Sequence, residues 1–190
     1  MGGMQQMTTV QKTIRRRQGG FTLIDLLFVI ALIGLLSALA VPGLMRARGA
    51  AQASSALGTL QVITSSQLSF AISCGSGFYS PDLPTLGSGP SGSVDGFIGP
   101  ELSSGFAFVK SGYMFSLAGV GVPGAPATCN GLGAGLAAAG YAAVADTLDP
   151  SAAAPRFFGT NTDGLIYESP TTLAPVMPQF GAPPGGTVLK

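Results

Sequence analysis

Three sets of side chains in this 190-residue sequence have the types and spacing to do chemistry. Asp25 stands just inside an uncharged apolar run that begins after Arg15-Arg16-Arg17-Gln18-Gly19-Gly20; Cys74 and Cys129 are the two thiols; Asp146, Asp149 and Asp163 lie in the C-terminal third. A carboxylate within a membrane-length apolar run is expensive unless a cation compensates it, so Asp25 demands a partner. The two cysteines favour one disulfide closing a long loop, worth about 2–4 kcal/mol; the alternative is a pair of unpaired small hydrophobes. The three aspartates could be assembled around calcium, because hard cations want several oxygens. Asp146-Thr147-Leu148-Asp149-Pro150 follows no recognisable loop consensus, however, and solvated turn acids are the better reading. The chain has no histidine, hence neither the commonest general base nor the commonest zinc ligand. No G-x-S-x-G, H-E-x-x-H or P-loop pattern occurs, Lys110 and Glu101 have no sequence partner that makes them catalytic candidates, and Tyr113, Phe115, Phe157 and Phe158 read as core. No catalytic residue, cofactor-binding residue or metal ligand is therefore expected.

Composition narrows the class. Only 9% of residues are charged and 46% are hydrophobic, with 29 glycines and 14 prolines, which suggests a loop-rich globular head rather than a charged disordered chain. Lys12 and the three arginines precede Phe21, so from Phe21 onward five basic residues face eight acidic ones, a net of −3. A mildly acidic body has no electrostatic footprint for nucleic acid.

The element that must position Asp25 is the run 21–41. As a helix rising about 1.5 Å per residue it would be about 30 Å long, the thickness of a bilayer's hydrocarbon core. The basic cluster outside its start keeps residues 1–20 cytoplasmic and sends the body across the membrane. Pro42 and Gly43 follow, where a helix should kink or pause. One reading is a secretory signal peptide with Ala38-Leu39-Ala40 as its cleavage site, releasing a small Sec-secreted binding domain after Ala40; a twin-arginine signal is a weak variant of it. A second is a plain single-span anchor. Neither uses Asp25 or the glycine pair.

A third reading uses both. Gly20-Phe21-Thr22-Leu23-Ile24-Asp25-Leu26-Leu27 resembles the class III signal of type IV pilins and type II secretion pseudopilins. The resemblance implies that a prepilin peptidase cuts between Gly20 and Phe21 and methylates the new amino terminus at Phe21. It implies further that the carboxylate of Asp25 pairs with the amino-terminal ammonium of a neighbouring subunit in a filament. The family usually has glutamate at the position of Asp25; aspartate keeps the charge and removes one methylene. Implied partners are identical or related pilin subunits, an inner-membrane platform protein and an assembly ATPase. The implied location is the bacterial inner membrane, single-pass with the head outside the cytoplasm, and then a pilus or a periplasmic pseudopilus.

The remaining sequence fits an α+β class. Ala53, Ala56, Leu57, Leu60, Ile63 and Phe70 recur at helical spacing, with Gln52, Ser55, Thr59 and Ser66 on another side, so 42–72 reads as the amphipathic half of one long interrupted helix. Tyr79 to Leu86 suggests a short ordered turn and Gly87 to Gly92 a flexible stretch. Strands are expected at Phe106–Leu117, Tyr141–Ala145, Arg156–Thr160 and Leu165–Glu168, the last two joined through Asp163-Gly164, a hairpin signal. Ala118 to Gly140 reads as a long loop carrying Cys129. The expected organisation is a leader 1–20, a transmembrane and assembly helix 21–41, an amphipathic half 42–72, a head 73–169 with three or four antiparallel strands packed on the helix, and an extended Pro-rich tail 170–190.

Overall fold

A computed structural model describes residues 20–150 and 155–189; the basic cluster and most of the expected leader lie outside the described residues. The chain divides into two compact units, one ending at Met45 and the other starting at Arg46. The first described element, α1 (Leu23–Ser73), runs through both.

In the first unit, every described residue from Gly20 to Met45 is exposed. Phe21 is 84% exposed, Leu23 81% and Leu36 67%, and the helix is long and apolar enough to cross a membrane. Helix α1 continues through Pro42, so the expected interruption is corrected. The ring removes one backbone donor, which leaves the Ala38 carbonyl without its helical partner, but the flanking turns Ala38–Val41 and Leu44–Ala47 keep helical backbone.

In the second unit, the expected apolar stripe is the buried face of α1: Ala53, Ala56, Leu60, Ile63 and Phe70 are all nearly or wholly buried. Thr59 and Ser66, placed on the polar side by sequence, are buried as well, as is Gln67. Gln67 shows why a polar residue can sit there. Its Nε2 donates to the Ser80 carbonyl and its Oε1 accepts from the Ser80 amide, each at 2.9 Å, so both ends of the buried amide are satisfied by one backbone residue. That clamp leads into α2 (Leu83–Leu86), capped by Asp82, whose side chain accepts from the Thr85 amide at 2.8 Å. The stretch after α2 is held at one point by Gly96, on which a Cβ would stand 2.0 Å from the Gly87 carbonyl oxygen, so only glycine permits that backbone approach, while residues 91–95 are exposed.

Among the described residues six antiparallel strands follow rather than three or four: β1 (Ala107–Lys110), β2 (Tyr113–Gly121), β3 (Ala138–Thr147), β4 (Phe157–Asn161), β5 (Ile166–Ser169) and β6 (Thr187–Val188), in the order β1-β2-β3-β4-β5-β6. The aromatic run expected as one strand is a hairpin, because Ser111 and Gly112 both take positive φ (51° and 80°), the backbone of a two-residue turn that matches strand twist. The ends of the expected 118–140 loop are drawn into β2 and β3. The turn at Asp163-Gly164 joins β4 to β5 as expected, with the Gly164 amide bonded to the Asn161 carbonyl at 2.9 Å.

Tyr113, Phe115, Leu117, Tyr141, Ala143, Ala145 and Phe158 face the α1 core. On the other side of the sheet, Val144 and Tyr167 pack with Leu173 and Met177. Residues 170–189 are thus a strap across the sheet rather than a separate tail. Asn161, wholly buried, donates through Nδ2 to the carbonyls of Pro178 (3.2 Å) and Gly181 (2.7 Å), and Asp163 accepts from the Gly181 amide at 2.7 Å. The strap then adds β6 to the sheet edge. Buried apolar surface and a satisfied buried amide outweigh the extended habit of a proline-rich sequence.

Between β4 and β5, the Arg156 guanidinium grips Glu168 through Nε, and through Nη2 to Oε2 at 3.0 Å, while stacking 5.1 Å from the Phe158 ring centre. The hydrogen bonds from Arg156 hold the Glu168 carboxyl below the ordinary glutamate range. A lowered carboxylate stabilises the fold at pH values above the unfolded-state value and stops doing so as pH falls through the folded one. Glu168→Gln is therefore expected to lower stability by about 1 kcal/mol or less at neutral pH, and the gap to wild type should close as the pH falls below about 4. Unfolding midpoints of the two proteins across that range check this; a gap that persists in acid contradicts it.

Candidate functional site

The site begins where α1 begins. Thr22 is the residue before Leu23, and its hydroxyl and the Asp25 carboxylate form a reciprocal cap. Thr22 donates to Asp25 Oδ2 from its amide at 3.2 Å and from its hydroxyl at 2.6 Å, and the Asp25 amide donates back to the Thr22 hydroxyl oxygen at 3.3 Å. This is the capping-box arrangement, in which the first and fourth residues satisfy each other's free amides. The usual partner is glutamate or glutamine; here aspartate closes the box with one methylene less. A carboxylate in the first turn also faces the positive end of the helix dipole. Asp25 thus has a partner within its own chain, and Thr22 is the residue the sequence reading passed over. The signal was present, since threonine followed three residues later by an acid ahead of an apolar run is the pattern of a helix start.

Around this polar turn the surface is apolar: Phe21, Leu23, Ile24, Leu26, Leu27 and Phe28 are all more than half exposed. A contiguous apolar surface of that kind requires lipid or another protein chain to cover it. A family model described as the prokaryotic N-terminal methylation motif matches residues 15–41, a span that contains the basic cluster, Gly20, Phe21, Asp25 and the whole apolar run.

The chain carries a class III signal.

This is the signal of type IV pilins and pseudopilins, and with the apolar helix it fits membrane anchoring. The match covers the signal and not the head. No curated protein and no solved structure matches the chain. Ala38-Leu39-Ala40, the triplet that suggested a secretory cleavage site, lies inside the continuous helix α1.

The other candidate residues fall into separate places. Cys74, just after α1, and Cys129 are bonded to each other, with Cα atoms 4.9 Å apart. The Cys129 amide donates to the Cys74 carbonyl at 3.3 Å, and the neighbouring Asn130 donates through Nδ2 to the carbonyls of Thr85 and Ser88. The end of α1, α2 and the 118–140 segment are thereby tied together. Asp146 and Asp163 do not converge: Asp146 accepts from the Thr172 hydroxyl at 2.6 Å and Asp163 from the Gly181 amide, both holding the strap. Among the described residues no group of three or more cysteines and acids gathers to hold a metal ion. Lys110 and Glu101 pair with each other at 3.0 Å on the surface.

Two surface depressions, one beside Thr85, Ser88 and Asn130 and one between Leu57, Leu68, Leu165 and Leu189, have no ionisable side chain among the described residues that line them. Replacing both Cys74 and Cys129 by serine is expected to lower head stability by about 2–4 kcal/mol. Denaturant unfolding checks this, together with thiol labelling of the native exported protein, where labelled cysteines would contradict the bond.

Proposed function

We propose that this protein is a structural subunit, a type IV pilin or type II secretion pseudopilin, whose work is polymerisation. A prepilin peptidase cuts after Gly20 and methylates the new amino terminus at Phe21. The subunit then waits in the bacterial inner membrane as a single-pass protein with its head outside the cytoplasm. Assembly packs helix 21–45 against the same helix of other subunits, and Asp25 pairs with the Phe21 ammonium of a neighbour, setting the axial register. The product is a type IV pilus or a periplasmic pseudopilus, built with a platform protein and an assembly ATPase. The subunit itself catalyses nothing.

The observation that carries this reading is the coincidence of the methylation motif at 15–41 with a helix whose apolar residues are all exposed up to Met45. In the membrane those side chains meet lipid; in a fibre they meet other helices, where close packing supplies the attraction. A buried carboxylate and a buried ammonium compensate each other where either alone does not.

Two substitutions test the reading in a host with the processing and assembly machinery. Gly20→Val should block maturation and leave residues 1–20 attached, whereas a secretory signal cut after Ala40 would be indifferent to it. Asp25→Ala should leave maturation intact and reduce sheared filament by about tenfold or more, the loss of one partner of a buried ion pair. Wild-type filament from Asp25→Ala would remove the role given to that carboxylate.

A further inference from the structure

The cap at the start of α1 divides the two oxygens of Asp25 unequally. Oδ2 accepts both bonds from Thr22, while Oδ1 accepts none among the described residues. A carboxylate has lone pairs enough for partners at both oxygens, so holding one leaves the other usable. We propose that Thr22 is the positioning residue of the assembly pair: its hydroxyl and amide fix Oδ2 of Asp25, and Oδ1 is thereby presented to the amino-terminal ammonium of a second copy of this chain. The inference rests on the reading of Asp25 as the carboxylate that pairs between subunits.

Three physical points support it. The device survives processing, because cleavage breaks the Gly20–Phe21 bond and leaves the Thr22 amide and hydroxyl untouched. It acts where it is most effective, since hydrogen bonds to a charged oxygen strengthen in a low-dielectric, water-poor setting. It also reduces the ordering cost of assembly, because a side chain already held in one rotamer loses less freedom when its partner arrives. Aspartate makes the demand sharper. With one methylene less than glutamate it samples a smaller volume, so an orientation set within the chain decides whether the incoming ammonium meets it.

The experiment uses the full chain with Thr22→Val, which keeps the shape and loses the hydroxyl, and Thr22→Ser, which keeps the hydroxyl. Filament yield is scored per subunit shown by intact mass to be processed and methylated. Thr22→Val should lower that yield about tenfold, the scale of one lost hydrogen bond to a charged group, and Thr22→Ser should stay within about twofold of wild type. Equal yields from Thr22→Val and wild type overturn the inference, as does a Thr22→Ser defect as large as that of Thr22→Val. A second measurement does not depend on assembly: in detergent micelles the Thr22 amide proton should exchange about tenfold faster in Asp25→Ala than in wild type, the loss of one charge-assisted bond. Equal exchange rates overturn the inference too. Normal filaments from Asp25→Ala would instead remove the intersubunit pair on which the inference rests. A failed Asp25→Ala beside a normal Thr22→Val removes the positioning role alone.

Discussion

An apolar helix that its own chain does not cover is the constraint behind the rest of this protein. From Phe21 to Met45 the large side chains are exposed, and nothing in the described structure shields them. Such a surface is stable only in lipid or against other chains. Everything polar at its start then has to be accounted for within a few residues. The reciprocal bonds between Thr22 and Asp25 satisfy amides that a helix start leaves free and give the carboxylate a local partner. The same turn lies within the stretch matched by the methylation motif, so the signal and the start of the apolar helix share a few residues.

The second unit solves a different problem. A small head with few charges and many glycines has limited apolar area, and it covers both faces of its sheet. The second half of α1 supplies one cover through Leu60, Ile63 and Phe70, and the strap of residues 170–189 supplies the other through Leu173 and Met177. Buried polar groups serve as clamps rather than as chemistry. Gln67 holds the entry to α2, Asn161 holds the strap, and the Cys74–Cys129 bond ties the end of α1 to the segment that precedes β3. Asp146 and Asp163, two of the three aspartates considered as cation ligands, serve the same task.

What was legible in the sequence, and what was not, follows from the range of the interactions. The apolar run, the helical stripe from Ala53 to Phe70 and the Asp163-Gly164 turn are local patterns, and each appears where expected. The disulfide was one of two open alternatives and the structure contains it. The misses are non-local. Thr59, Ser66 and Gln67 lie three or four residues from Ala56, Ile63 and Phe70 on the same face of α1, but their polar types pointed to solvent, and the partner that satisfies Gln67, Ser80, lies beyond the helix. The strap looked like a free tail because its anchors, Asn161 and Asp163, lie far back in the chain. Ser111 hid a turn because positive φ is unusual for serine, and the aromatic residues on both sides read as one strand. Thr22 was missed for another reason: the capping pattern was local, but the resemblance to a processing signal already accounted for its neighbours.

The central claim is that the mature chain begins at Phe21 and keeps its apolar helix. Intact mass and amino-terminal fragmentation of the protein purified from its membrane test it most directly. The account predicts a chain that starts at N-methyl-Phe21 and contains all of α1. A mature chain that starts at Val41 would contradict it, because the helix assigned to assembly would then have been discarded.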